Sequence, residues 1–150
     1  MNRYRPLLSS LLLACASTAF GADGLISLQS PHTANGTMNR FAAHATQRGL
    51  EVFARIDHAA GAAKIGKSLR PTEVLVFGNP QGGTALPECT QTAGIDLPLK
   101  ALVWQDAQGQ VWLGYNDPAF LARRHGAAQC PAAAGLTRAL AGLAEASVAR

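Results

Sequence analysis

Charged residues are scarce in this chain, at 15% of 150 positions, and aromatic residues are scarcer, at 6%. With 48% of the chain apolar, the low charge excludes a disordered or fibrous protein and leaves a single globular domain of ordinary size. Basic side chains exceed acidic ones by only 13 to 9, and none gather into a stripe, so no nucleic-acid partner is expected. No apolar run reaches the ~20 residues that a membrane-spanning helix needs. Cysteine is nearly absent, with Cys15, Cys89 and Cys130 the complete set. The spacings C-x-x-C, H-x-x-x-H, H-E-x-x-H and C-x-x-C-H do not occur, so neither a local metal site nor covalent haem is expected. Without G-x-S-x-G, the nucleophile elbow of a serine hydrolase is missing too.

What the N-terminus does hold reads as an export signal over residues 1–22. Arg3 and Arg5 precede the apolar run Leu7 to Ala16, and small residues follow at Ser17, Ala19, Gly21 and Ala22. The expected location is periplasmic or secreted. Leu12-Leu13-Ala14-Cys15 offers an alternative, a lipobox whose Cys15 would carry a lipid anchor. With the signal gone, Cys89 and Cys130 remain, and an oxidising compartment makes them a candidate disulfide. Such a bond would close a loop of about 42 residues, worth roughly 4 kcal/mol. Two unpaired buried thiols are the alternative reading.

Periodicity supplies the elements. Gly24 to Gln29 alternates as a strand, and Thr33 caps a helix in which Met38, Phe41 and Ala45 share a face up to Arg48-Gly49. Leu50 to Ile56 alternates again, with Leu50, Val52, Ala54 and Ile56 expected on one face. A short Ala-rich helix follows over Ala59 to Ile65. Thr72 to Phe77 is the most apolar strand, and Gly78-Asn79-Pro80-Gln81-Gly82-Gly83 is expected to be a loop. Thr84 to Ala93 suggests a helix interrupted by Pro87. Leu99 to Gln105 and Gln110 to Tyr115 form a hairpin around Asp106 to Gly109. Asp117 and Pro118 open a helix that Gly126 closes. Residues 127–150 read as a tail carrying an amphipathic helix with Leu136, Leu140, Leu143 and Val148, left open between docking on the domain and fraying. The order predicts an α+β two-layer sandwich, helices on one face of a roughly five-stranded, mostly antiparallel sheet.

Several stretches resemble the domain-of-unknown-function family 302 (DUF302). They are V-F-A-R-I-D-H-A-A-G-A (Val52 to Ala62), L-R-P-T-E-V-L-V-F-G-N-P (Leu69 to Pro80) and G-T-A-L (Gly83 to Leu86). I-D-L-P-L-K-A-L-V-W (Ile95 to Trp104) and Y-N-D-P-A-F-L-A-R-R-H-G (Tyr115 to Gly126) complete the set. The resemblance sets a domain over 23–126. It implies a compact α+β fold that pairs as a homodimer, with no catalytic residues to carry over.

One motif invites over-reading. Gly61 to Ser68 satisfies the phosphate-binding pattern G-x-x-x-x-G-K-[ST], but Pro71 follows three residues after Ser68 and denies it the helix that would cradle a phosphate. It is expected to be a short surface helix. Asp57 reads first as a helix cap, with His58 beside it able to switch charge near neutral pH. Asp57, His58, Asn79 and Tyr115, all at strand ends, are the candidate contacts for a small ligand. Asp96 reads as a turn former, and Trp104 and Trp112 as core or dimer contacts. No catalytic residue is assigned. The expected function is an exported homodimeric binding module for an unknown small ligand. The alternatives are a metal or redox protein using Cys89 and His58, and a small-molecule enzyme using Asp57, His58 and Tyr115.

Overall fold

In the computed structural model, which describes residues 22–150, local signals place each element. The expected signal segment (its last residue, Ala22, apart) and Cys15 lie outside the described residues. Strand β1 (Leu25–Ser30) leads to helix α1 (Ala34–Gln47), whose N-terminus is capped by the Thr33 hydroxyl accepting from the Gly36 amide at 3.1 Å. Gly49, at φ +74°, turns the chain into β2 (Glu51–Asp57), and Asp57 caps α2 (His58–Lys64) by accepting from the Ala60 amide at 2.9 Å. Helix α2 stops at Ile65, and Gly66 adopts φ +71°, so Lys67 and Ser68 lie in a connection rather than a helix. The phosphate-binding pattern is a surface helix followed by a loop, as Pro71 requires.

Strand β3 (Thr72–Gly78) is followed at once by α3 (Pro80–Cys89), and a tight helical turn (Gln91–Asp96) leads to β4 (Leu99–Gln105). Strand β5 (Val111–Asn116), α4 (Pro118–Arg124) and α5 (Pro131–Val148) complete the chain. The strands form one sheet in the order β1-β5-β4-β3-β2, every neighbouring pair antiparallel. This is the expected α+β sandwich.

Helices α1 and α5 cover one face. Met38, Phe41 and Ala45 from α1 and Leu140, Leu143 and Ala144 from α5 meet Leu75, Phe77, Val103 and Leu113 of the sheet. Phe41 packs edge-on against Phe77 with ring centres 5.1 Å apart. The Arg40 guanidinium donates to the Ser147 carbonyl at 2.9 Å and the Ala149 carbonyl at 3.0 Å, satisfying the end of α5. A smaller core of Leu86, Ala93, Ala122, Cys130 and Ala133 joins α3, α4 and the start of α5. Neither core includes a residue of the reverse sheet face, where Val74, Val76, Leu102, Trp104 and Trp112 stay half-buried.

Three expectations change. Residues 78–83 are not a loop, because Asn79 accepts from the Gly82 amide at 2.8 Å and Pro80 takes the first helical position, so α3 begins before its glycines. Strand β2 does not alternate throughout. A bulge at Phe53 puts Val52 opposite Phe77 and Arg55 opposite Leu75 on the covered face, while Ala54 and Ile56 pair with Val76 and Val74 on the open one. Residues 127–150 are not an appendage to a domain ending at 126, since Leu140 and Leu143 are 4% and 1% exposed in its main core.

Candidate functional site

Between the sheet, α3 and α5 the two cores fail to close on one another. They leave a cavity of about 890 Å³ at the end of the sheet where β3 finishes and β2 and β4 begin. The geometry follows from the connections: β3 runs directly into α3, which then lies beside α5 instead of on the sheet. Phe77 and Leu99 line it from the sheet, Leu50 and Phe53 from the start of β2, and Leu136, Leu140 and Leu143 from α5. Leu97 and Pro98 close a further side. Gly83, Gly94 and Gly135 also line it, and a Cβ at any of them would meet nothing within 4 Å. The volume lies within the range of a site for one drug-sized molecule, and the lining is overwhelmingly apolar.

Polar groups stand among the lining at Arg48, Glu51, Asn79 and Gln81. The Arg48 guanidinium donates to the Gly142 carbonyl at 3.0 Å and the Ala139 carbonyl at 3.4 Å, which fixes it against α5. Asn79, also in the lining, spends its side-chain oxygen on the α3 cap and keeps its amide N–H groups uncommitted.

Of the four expected ligand contacts, Asn79 alone lines the cavity. Asp57 caps α2 at the far end of β2, opposite Glu73, and His58 is exposed as the first residue of that helix. Tyr115 is buried in the main core on β5, three strand spacings (roughly 14 Å) from β2. Burial, reinforced by the charges of Asp117 and Glu145, pushes its hydroxyl pKa above the ordinary value. The fold therefore does not bring Asp57, His58 and Tyr115 together. Cys89 is bonded to Cys130, their Cα atoms 5.9 Å apart, so no thiolate is left to join His58 on a metal. The bond ties the end of α3 to the residue before α5, clamping two walls of the cavity.

A second polar cluster is one that sequence reasoning divided. His125 Nε2 lies 2.7 Å from Asp96 Oδ2, its Nδ1 lies 3.0 Å from Thr92 Oγ1, and Arg124 donates to Asp96 Oδ1 at 3.1 Å. It fastens the turn after α3 to the end of α4. Elsewhere Asp106 accepts from the Trp112 indole N–H at 2.8 Å and from the Gln108 and Gln110 amides, which holds its carboxyl below the usual carboxylate range. Arg55 pairs with Glu73, which raises the pKa of the guanidinium.

The family model described as "Domain of unknown function DUF302" matches residues 26–145. The chain belongs to the DUF302 family. Its match runs well past Gly126, in keeping with α5 as a structural layer of the domain. The crystal structure of an uncharacterised conserved DUF302 protein from Bacillus stearothermophilus superposes with a TM-score of 0.75 and covers 84% of this chain and 99% of that one. At 22% identity, that likeness speaks for the fold alone. Among curated relatives, a protein named fluoride-specific ion channel FluC 1 from Brucella suis biovar 1 is 45% identical over 125 residues, which are 83% of this chain and 45% of the relative. A like-named protein from Brucella abortus biovar 1 is also 45% identical over 125 residues and matched over 43% of its length. This DUF302 chain thus spans less than half the length of the curated relatives it matches. Among the described residues, no helix is long and apolar enough to cross a membrane.

Proposed function

We propose that this DUF302 chain is an exported, homodimeric module that binds a small apolar molecule in the cavity between β3, α3 and α5. One observation carries the reading: about 890 Å³ of space between the sheet, α3 and α5 with largely apolar walls. Export is supported by the pattern of residues 1–22 and by the Cys89–Cys130 bond, which persists in an oxidising compartment.

Dimerisation is supported by the open sheet face. Five strands of about six residues present an area of roughly 24 by 20 Å, so two such faces would bury about 1,000 Å², the lower bound for a specific interface. Trp104 and Trp112 stack there with ring centres 6.4 Å apart, large apolar surfaces of the kind that anchor interfaces. Light scattering after size exclusion should give a dimer for the wild type and a folded monomer for Trp104→Arg. A monomeric wild type at micromolar concentration would remove this part.

The binding test uses Nile red, a neutral dye that fluoresces in apolar surroundings. The wild type should bind it saturably, and Gly135→Leu, which fills the space from α5, should abolish binding. Unchanged binding in that variant would overturn the reading. The 45% identity to the Brucella proteins supports a second reading, in which the module serves a fluoride channel carried by another chain. Fluoride efflux from vesicles bearing such a channel would then change when this protein is added, and constant efflux would dismiss it.

A further inference from the structure

Resting on the cavity as the binding site, we infer that its ligand is an amphiphile with one anionic head, seated at Arg48, and an apolar body inside. The walls decide where charge is tolerated. Phe77, Leu140 and Leu143 are at most 4% exposed, and a charge among them would lose its hydration without a partner. A charged group on the ligand therefore stays among the polar residues of the lining.

The character of those residues selects the sign. Arg48 is the sole cation of the lining, and its position is set by the Ala139 and Gly142 carbonyls of α5. Among the described residues no carboxylate lies within ion-pair distance of it, although Glu51 belongs to the same lining. An arginine carries five N–H donors, so two bonds to carbonyls leave others for a ligand oxygen. Asn79 adds unspent amide N–H groups, its oxygen being committed to Gly82. Donors in that position call for a head that only accepts hydrogen bonds, and a carboxylate does so in a geometry that guanidinium matches with two parallel bonds. Lys100 on β4 is outside the lining, its ammonium donating to the Asp96 and Pro98 carbonyls.

Glu51 tempers the attraction and supplies an independent arm of the test. Decanoate and decanol share a chain and differ in the head, so each would be titrated against bound Nile red with the full mature protein. Decanoate should displace the dye about tenfold more tightly than decanol, the value of a hydrogen bond to a charged group. Arg48→Gln should bring the two together, and Arg48→Lys should restore part of the preference. Glu51→Gln should widen the preference for decanoate over decanol by about twofold. Equal displacement by acid and alcohol in the wild type, or a preference that survives Arg48→Gln in a variant with wild-type circular dichroism, overturns the anionic head but spares the cavity. Failure of both amphiphiles to displace the dye, with Gly135→Leu binding it normally, overturns the cavity reading itself.

Discussion

Reduction of the Cys89–Cys130 bond is the perturbation whose size follows most directly from the structure. The two residues are separated by 41 positions and join the end of α3 to the residue before α5, so the bond restrains the unfolded chain over a long loop. Chain entropy puts that restraint at about 4 kcal/mol at room temperature. Against the 5–15 kcal/mol typical of a whole domain, this is a large share. Reduction removes no side-chain volume, whereas Cys130→Ala would also empty part of the small core that Cys130 shares with Leu86 and Ala133. Urea unfolding with and without a thiol reductant should therefore show a drop in midpoint of about 2 M with unchanged cooperativity. In a thermal melt the same loss appears as a fall of roughly 10 °C or more. Hydrogen exchange should localise the first loosening to the end of α3 and the first turn of α5. Coincident urea curves for the oxidised and reduced forms would refute the reasoning, since the entropy term does not depend on local packing.

Other outcomes test separate parts of the fold. Leu143→Ala, which removes a fully buried side chain of α5 from the main core, should cost about 3 kcal/mol in chemical denaturation; a neutral result would return residues 127–150 to the status of an appendage. Gly135→Leu replaces a helical glycine where an added Cβ meets nothing within 4 Å, so it should stabilise by about 1 kcal/mol, read as a higher melting temperature. A destabilised variant would mean that the wall beside α5 is closed. Asp106, with its pKa depressed by the Trp112 hydrogen bond, contributes stability above its unfolded pKa near ~3.9 that is lost as pH falls through the lower folded value. Tryptophan fluorescence should therefore shift in acid for the wild type, and an Asp106→Ala variant should show the shifted signal already at neutral pH.

Helix starts were the most legible feature of the sequence. Thr33, Asp57 and Asp117 each carry a side-chain oxygen that takes up an otherwise orphaned amide, and each caps the helix it heralds. Asn79 does the same for α3, but its signal was hidden by Gly82 and Gly83, whose local preference for turns is overridden once Pro80 and the cap start the helix. The β2 bulge was invisible because Leu50 to Ile56 alternates without a break, and only pairing with β3 moves Arg55 to the covered face beside Glu73. The candidate site was the least legible. Asn79 was singled out, yet its neighbours across the cavity come from β2, β4 and α5, and no local pattern links Leu50 with Leu136. Asp57, His58 and Tyr115 are polar groups at strand ends, yet Asp57 caps a helix, His58 is that helix's exposed first residue and Tyr115 serves the core. The cluster of Asp96, Thr92 and His125 shows the same limitation, since a separation of 29 residues conceals a 2.7 Å contact.

Methyl NMR of the protein titrated with decanoate addresses the binding site without any variant. Saturable shifts confined to the methyls of Leu50, Leu97, Leu136 and Leu140, with Val74, Val76 and Leu102 of the open sheet face unmoved, are the predicted result. Shifts on the open face alone, or none at saturating ligand, would contradict the assignment of the cavity as the place where this protein holds its ligand.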